Sequence, residues 1–377
     1  MPLDGIIFGE KPSRCPSSSC LAQSSDFVRI GFTKPLICLK GKRRQRFQCR
    51  KCKRSFTENY FKIHYRLMHN DPSLNYWIFQ FFIHGMPLRR IARLLEISTH
   101  STRIRIKRLA QRALDFHQAT TSNLLISEPI CIDGLENFAK SQYEPNNVNH
   151  AVGYNSLFIY DENFAPLNRK GRTSDQQKLR LAAIESIEGR FDPRAIRTSF
   201  ADLVRRLYSK RADKGSPLQI ISDEHFQYRR ALARELFSLK IRHDTISSKV
   251  WRNFQNILFS ANHSDLLIRK MLAPFMRETI SFSKTHGMMM QKYGLFAVYK
   301  NYMQPQFSKK HVRRPRAHLE SPAMALGLFE KVLKFEDIFS ERSRECSTCI
   351  WNEDWKAFWH GEVPKKYHRS KKFNKVA

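Results

Sequence analysis

Two acidic residues each close a short apolar run. Cys131-Ile132 leads into Asp133, and the chain then reads Gly134-Leu135-Glu136-Asn137-Phe138; Leu218-Gln219-Ile220-Ile221-Ser222 leads into Asp223. A carboxylate at the end of a buried strand is costly to desolvate unless something positive sits on it. Hard divalent cations take oxygen ligands. Two such ions about 3.5–4 Å apart activate an attacking water or 3′-hydroxyl and stabilise the leaving oxygen of a phosphodiester. Asp133 and Asp223 are therefore read as two corners of a Mg2+ (or Mn2+) site for phosphodiester chemistry, with a third acid expected from a later helix that crosses the sheet. Each has a plainer use as well: Asp133 can cap a turn, and Asp223 can cap the helix that follows it.

The elements that must hold these acids begin at Ile130, where the texture turns α/β. Strands are expected at 130–133, 150–160, 218–222 and near 239–246. Two helices lie between the second and third strands. One opens with the capping-box spacing Ser174-Asp175-Gln176-Gln177, the other with Asp192-Pro193, an N-cap followed by proline at the first helical position. A long helical stretch is expected from about 265 to 303, kinked at Pro274.

Two modules precede this region. Cys15 and Cys20 form one close pair and Cys49 and Cys52 another, a set suited to tetrahedral zinc in a ribbon over residues 10–60. Such a module has little core and draws its stability from the metal. Cys38 is an extra thiol able to replace one ligand, and the basic run Lys40–Arg46 is expected to face phosphate. Residues 72–118 carry helical periodicity: an apolar helix ending near Gly85, a second helix after Pro87, and a third capped by Ser98 or Thr99. On the third, Ile104, Ile106 and Leu109 are expected to face inward, leaving Arg103, Arg105, Lys107 and Arg108 for DNA. This is a helix-turn-helix pattern with its last helix suited to the major groove; an ordinary helical hairpin is the plainer alternative.

Residues 119–129 read as a linker, 128–305 as the catalytic region and 306–377 as a basic C-terminal tail, flexible at 306–316 and 364–375. Trp351, Trp355, Phe358 and Trp359 are expected to pack rather than bind bases. Cys346 and Cys349 are a pair without an obvious mate.

The chain has 377 residues, with 66 Lys and Arg against 34 Asp and Glu, a net charge of +32. Such a balance calls for a polyanion, and nucleic acid is the commonest. About half of the excess falls in residues 1–120, where the two small modules lie. No apolar run approaches the about 18 residues of a spanning helix, and Met1–Gly9 has no basic leader. The expectation is a cytoplasmic, nucleoid-associated protein with no membrane partner, and cysteines that bind metal or pack rather than form disulfides.

Taken together, the cysteine pairs, the helix-turn-helix, Ile132–Phe138, Ser222-Asp223-Glu224-His225 and Asn262-His263-Ser264-Asp265-Leu266-Leu267-Ile268-Arg269 resemble a bacterial insertion-sequence transposase of the DDE class. The resemblance covers most of residues 10–330 and extends through Arg277–Lys284 and Tyr299-Lys300-Asn301-Tyr302. It implies an RNase H-like catalytic domain behind the zinc ribbon and helix-turn-helix. It also implies Mg2+-dependent cleavage and strand transfer on double-stranded DNA, at the element's ends and a target, by a homo-oligomer. Members usually carry the third acid as Glu after an Asn. Here the matching position is Asp265, with Glu278 second and Glu320 third as alternatives, and Asp265 too can be read as a helix cap. Arg269, one turn after Asp265, is placed to pair with it or with phosphate. His225, Arg277 and Lys284 are further candidates for the DNA backbone. The rival readings are a non-catalytic zinc-ribbon/helix-turn-helix regulator and a nuclease that cuts without joining.

Overall fold

The structure, a computed structural model, describes residues 6–7, 9–17, 19–34, 42–65, 71, 73–171, 173–276, 281–305, 320–343 and 351–374. Glu278, Arg277, Cys38, Cys346 and Cys349 lie outside the described residues. The chain divides into two units, residues 1–116 with 334–351, and residues 117–333 with 352–377.

In the first unit, β1 (Ile6–Ile7), β2 (Phe27–Phe32), β3 (Arg43–Cys49) and β4 (Ser55–Thr57) form one small sheet. β3 pairs antiparallel with β2 and β4. Alternation along β3 buries Gln45, Phe47 and Cys49 and leaves Arg43 and Arg46 in solvent, the period of a half-buried strand. Phe27, Phe47 and Phe56 make the core, with Phe27 edge-on to Phe56 at 5.4 Å. Within the basic run, Arg44 does not wait for phosphate: it pairs with Glu58 at 2.6 Å.

α1 (Ser73–Ile83), α2 (Leu88–Leu94) and α3 (Thr99–Thr121) follow. Gly85 takes φ +87° just past α1, a left-handed turn that glycine accepts without strain. Ser98 Oγ accepts the Ser101 N–H and so caps α3. The inward row of α3 differs from expectation. Thr102, Arg105, Ile106 and Leu109 are buried, whereas Ile104 is only half-buried. Arg105 donates to Asn75 Oδ1 at 2.8 Å, and burial pulls its pKa down to about 10. It is therefore not a DNA contact. Positions 102, 105 and 109 recur at helical spacing, and an arginine on that row must go inside. Arg108 is half-buried and donates to the carbonyls of Ile63 and Tyr65, while Arg103 and Lys107 are exposed.

The second unit is a five-stranded mixed sheet, in the order β7 (Ile159–Pro166), β6 (Pro145–Gly153), β5 (Ile130–Phe138), β8 (Leu218–Asp223), β9 (Ile241–Ile246). β5, β6 and β7 are an antiparallel meander, and β8 and β9 run parallel to β5. The strand expected at 150–160 is in fact the end of β6, a turn and the start of β7. β6 reads Pro-Asn-Asn-Val-Asn-His-Ala-Val-Gly, so polar that it carries no strand signal, yet every residue is buried. Its asparagines are satisfied by partners far away in sequence. Asn149 donates to Ser199 Oγ at 3.1 Å and accepts from Tyr228 at 3.0 Å. These partners belong to α5 (Ala195–Ser209) and α6 (Phe226–Arg234), which cover one face; α4 (Asp175–Glu188) precedes them behind the expected Ser174–Gln177 capping box.

The other face is covered by α7 (Phe259–Met271) and α8 (His286–Val298). The single long helix expected over 265–303 is two helices. Pro274 sits in a 3-10 turn, Ala273–Phe275, because proline cannot continue the helical ladder. Thr285 then caps α8 through the Met288 N–H.

Residues expected to form a basic tail are folded where they are described. α9 (Pro322–Ala325) and α10 (Phe335–Phe339) precede α11 (Glu353–His360), which buries Trp355, Phe358 and Trp359 at i, i+3, i+4 spacing. Lys366 is held by Asp202 and Asp354, and Ser370 exchanges backbone hydrogen bonds with Arg190. Lys366 and Arg369 are paired with acids of the same unit, Asp202, Asp354 and Glu188, which composition alone does not reveal. Among the described residues, no helix is long and apolar enough to cross a membrane.

Candidate functional site

Two sites are built from ligand-type side chains. In the ribbon, Cys15 and Cys20 lie in the loop before β2, Cys49 ends β3 and Cys52 lies in the turn to β4. Cys15 Sγ is 3.4 Å from Cys52 Sγ, and Cys20 Sγ is 3.7 Å from Cys49 Sγ; all four sulfurs lie within 4.8 Å of one another. Those separations are too long for a disulfide. A tetrahedral zinc with bonds of about 2.3 Å places its sulfurs about 3.8 Å apart, so this set fits the ion. Burial pushes the Cys15 thiol up to about 12, while the Arg54 backbone N–H draws Cys52 down to about 7. The thiols can therefore bind a metal such as zinc, which would supply the charge that burial withholds.

The second site is in the other unit. Asp133 and Asp223 stand one residue beyond the paired Ile132 and Ser222 of adjacent parallel strands, so their carboxyl groups share one face at one level. Neither needs its plainer role. The cap of α6 is His225, whose ring accepts the Gln227 N–H, and Asp223 Oδ1 accepts the His225 N–H at 3.1 Å. Asp133 Oδ1 accepts the N–H of Gly134 at 2.7 Å. Burial first, and the neighbouring Asp223 second, raise the Asp133 carboxyl from 3.8 to about 6. Two carboxylates pressed together this way gain from a shared cation.

α7 brings the third acid. Asp265 is in mid-helix, not at its start, and is 6% exposed. Asp133, Asp223 and Asp265 all line a cleft of about 130 Å³, with Arg252, Asn256, Asn262 and Arg269. The first two acids also floor a larger cleft of about 960 Å³, walled by Arg169, Lys170, His225, Arg269, Phe138 and Phe282. The three acids are not a closed cage: among the described residues, the four cysteines alone make a metal-ligand group that closes within 4.8 Å. The acids are an open floor that fits cation binding shared with a ligand's own oxygens. Glu320 lines neither cleft, and Lys284 lies over the Phe282 ring at 4.0 Å.

Sequence reasoning missed several residues here. Arg169, Lys170 and Arg252 sit in loops with no periodic pattern to mark them. Trp251, 85% exposed, follows Val250 of the smaller cleft's wall. His150 is paired with Asp133 across β5 and β6, is buried, and places Nε2 3.2 Å from Asp265 Oδ1. Burial pulls its pKa down to about 3, so the ring is neutral.

No protein-family model matches the sequence, and no curated protein is significantly similar to it.

Proposed function

We propose that the chain is a DNA transposase of the DDE class, with the second unit as an RNase H-like catalytic domain and the first as its DNA-binding part. The observation that carries this reading is the delivery of Asp133, Asp223 and Asp265 from the middle of β5, the end of the adjacent β8 and a covering helix into one cleft with basic walls. The strand order, an antiparallel meander extended by two strands parallel to its first, agrees with that fold.

Asp133, Asp223 and Asp265 are the residues that would hold Mg2+ or Mn2+. Such ions would supply neutralisation of phosphate charge and a more acidic attacking water or hydroxyl. Asp133 and Asp223 would hold the ions from the sheet side of the cleft. Arg252, Arg269 and Lys170 offer donors to its non-bridging oxygens and to the neighbouring backbone. Cleavage adds water across a P–O3′ bond and frees a 3′-hydroxyl. Joining exchanges one phosphodiester for another, so the sequence needs no external energy source. Zinc-stabilised β-strands and the exposed Arg103 and Lys107 of α3 would hold the element's ends, and net charge would favour the encounter. Action on two ends calls for a homo-oligomer.

A non-catalytic regulator has no use for an acid whose carboxyl is held above its ordinary range by desolvation and a neighbouring acid, and Asp133 is such a residue. The deciding experiment incubates the protein and Mg2+ with a labelled duplex carrying the inverted repeats that flank its gene. Joined product lost in Asp133→Ala and Asp223→Ala supports the proposal. Retarded but uncut duplex means a regulator, and cut but never joined duplex means a nuclease.

A further inference from the structure

β6 aims three side chains of one parity at α7 and α8: Val148, His150 and Val152. Two are apolar, as a core strand requires; the middle one is an imidazole, 1% exposed. A buried polar ring needs a polar reason. The register supplies the setting. Asp133 pairs with His150, and His150 with Glu162, so the ring stands in one row between the acids of β5 and β7. Its plane is fixed on one side by Tyr293, stacked at 6.3 Å and 29°. Across from it is α7, where Nε2 comes within 3.2 Å of Asp265 Oδ1. That approach is close but off the axis of a well-aligned hydrogen bond. On its other oxygen, Asp265 has Arg269 one turn along at 4.0 Å.

We infer that His150 is a positioning residue for the third acid, a buried imidazole on β6 that sets the direction in which the Asp265 carboxyl faces the Asp133–Asp223 pair. This rests on the cation-binding reading of the cleft. The reason is mechanical. Asp133 and Asp223 are held by strand backbone and by the N–H groups of Gly134 and His225. Asp265 stands on a helix, where its own backbone N–H is committed to the helical ladder, so its carboxyl takes its direction from the side chains around it, His150 and Arg269 among them. A carboxylate that must meet two others across a gap needs an external stop, and outer partners of this kind commonly set metal affinity 10–100-fold. Valine or leucine would pack as well here but could not fix a carboxylate.

The test uses the full-length, zinc-loaded protein and measures Mn2+ binding by calorimetry and by the Mn2+ EPR signal, beside thermal melts. The double variant Asp133→Asn/Asp223→Asn defines background binding. His150→Leu should melt at or above the wild-type temperature, because a buried polar atom is removed, yet lose about 10–100-fold in Mn2+ affinity. His150→Asn, too short to reach α7, should show the same loss, and it serves if leucine disturbs the fold. His150→Gln, long enough to donate to Asp265, should restore most of the affinity. Wild-type Mn2+ affinity in His150→Leu or His150→Asn would overturn the inference and leave the cation site standing. So would a glutamine variant as weak as the leucine one. Wild-type binding no stronger than the double variant would overturn the cation reading itself.

Discussion

The ribbon cysteines and the cleft acids are both sets of electron-rich side chains, but they are built in opposite ways. The four sulfurs come from two short-range pairs and close on one another within 4.8 Å, leaving no room for anything but one ion. The three acids come from β5, β8 and α7, and stay open above clefts walled by arginine and lysine. A closed, soft-ligand set stabilises a small fold; an open, hard-ligand set leaves positions for a substrate. On the proposed function, metal in the first unit would maintain shape and metal in the second would do chemistry.

The largest expected effect separates these roles. Asp133→Asn and Asp223→Asn should each lower cleavage and joining by at least about a thousandfold while leaving duplex retardation unchanged; a gel assay with wild-type and variant protein reads both. Loss of retardation in these variants would erase the distinction. Next, Cys49→Ser or strong chelation should release zinc and unfold the ribbon, whose small aromatic core cannot stand alone. End-specific binding should fall by about a hundredfold or more, while circular dichroism of the larger unit persists. Equal loss of helix and sheet signal throughout would show that the ribbon metal supports more than its own module.

A smaller effect probes α3. Arg103→Ala and Lys107→Ala should each reduce the slope of log affinity against log salt by about 1. Arg105→Met should leave that slope alone, since its guanidinium bonds to Asn75.

The smallest effect is electrostatic. The folded-state pKa of Asp133, raised to about 6, means that the folded protein holds this proton more tightly than the unfolded chain does. Stability from this group is therefore greatest below about pH 4 and falls as pH rises towards 6. Asp133→Asn should stabilise the metal-free protein by up to about 3 kcal/mol at pH 8 and not at pH 3.5. Thermal melts at the two pH values measure the difference.

What could be read without coordinates was local. Cys15/Cys20 and Cys49/Cys52 announce themselves because each pair is close in sequence and its geometry is set by one turn. The three helices of residues 73–121 follow from periodicity and caps. The end of β8 could be found because an acid after an apolar run is conspicuous, whereas β5 runs on past Asp133 to Phe138, its edge hidden by pairing with β6. β6 was illegible, since its asparagines look like a loop until Ser199 and Tyr228 are there to satisfy them. Arg105 misled for the converse reason: arginine implies solvent unless a partner such as Asn75 waits inside. The expected tail misled likewise, because the acids that pair with its lysines lie far away in the chain.

By itself, then, the order of residues determined which side chains are available for metal and phosphate, because ligand chemistry and short-range spacing need no fold. Tertiary structure alone decided that Asp133 and Asp223 share a level on one face, that Asp265 on α7 joins them, and that His150 stands behind it. Those relations depend on strand register and helix packing, and such long-range contacts leave no mark on neighbouring residues.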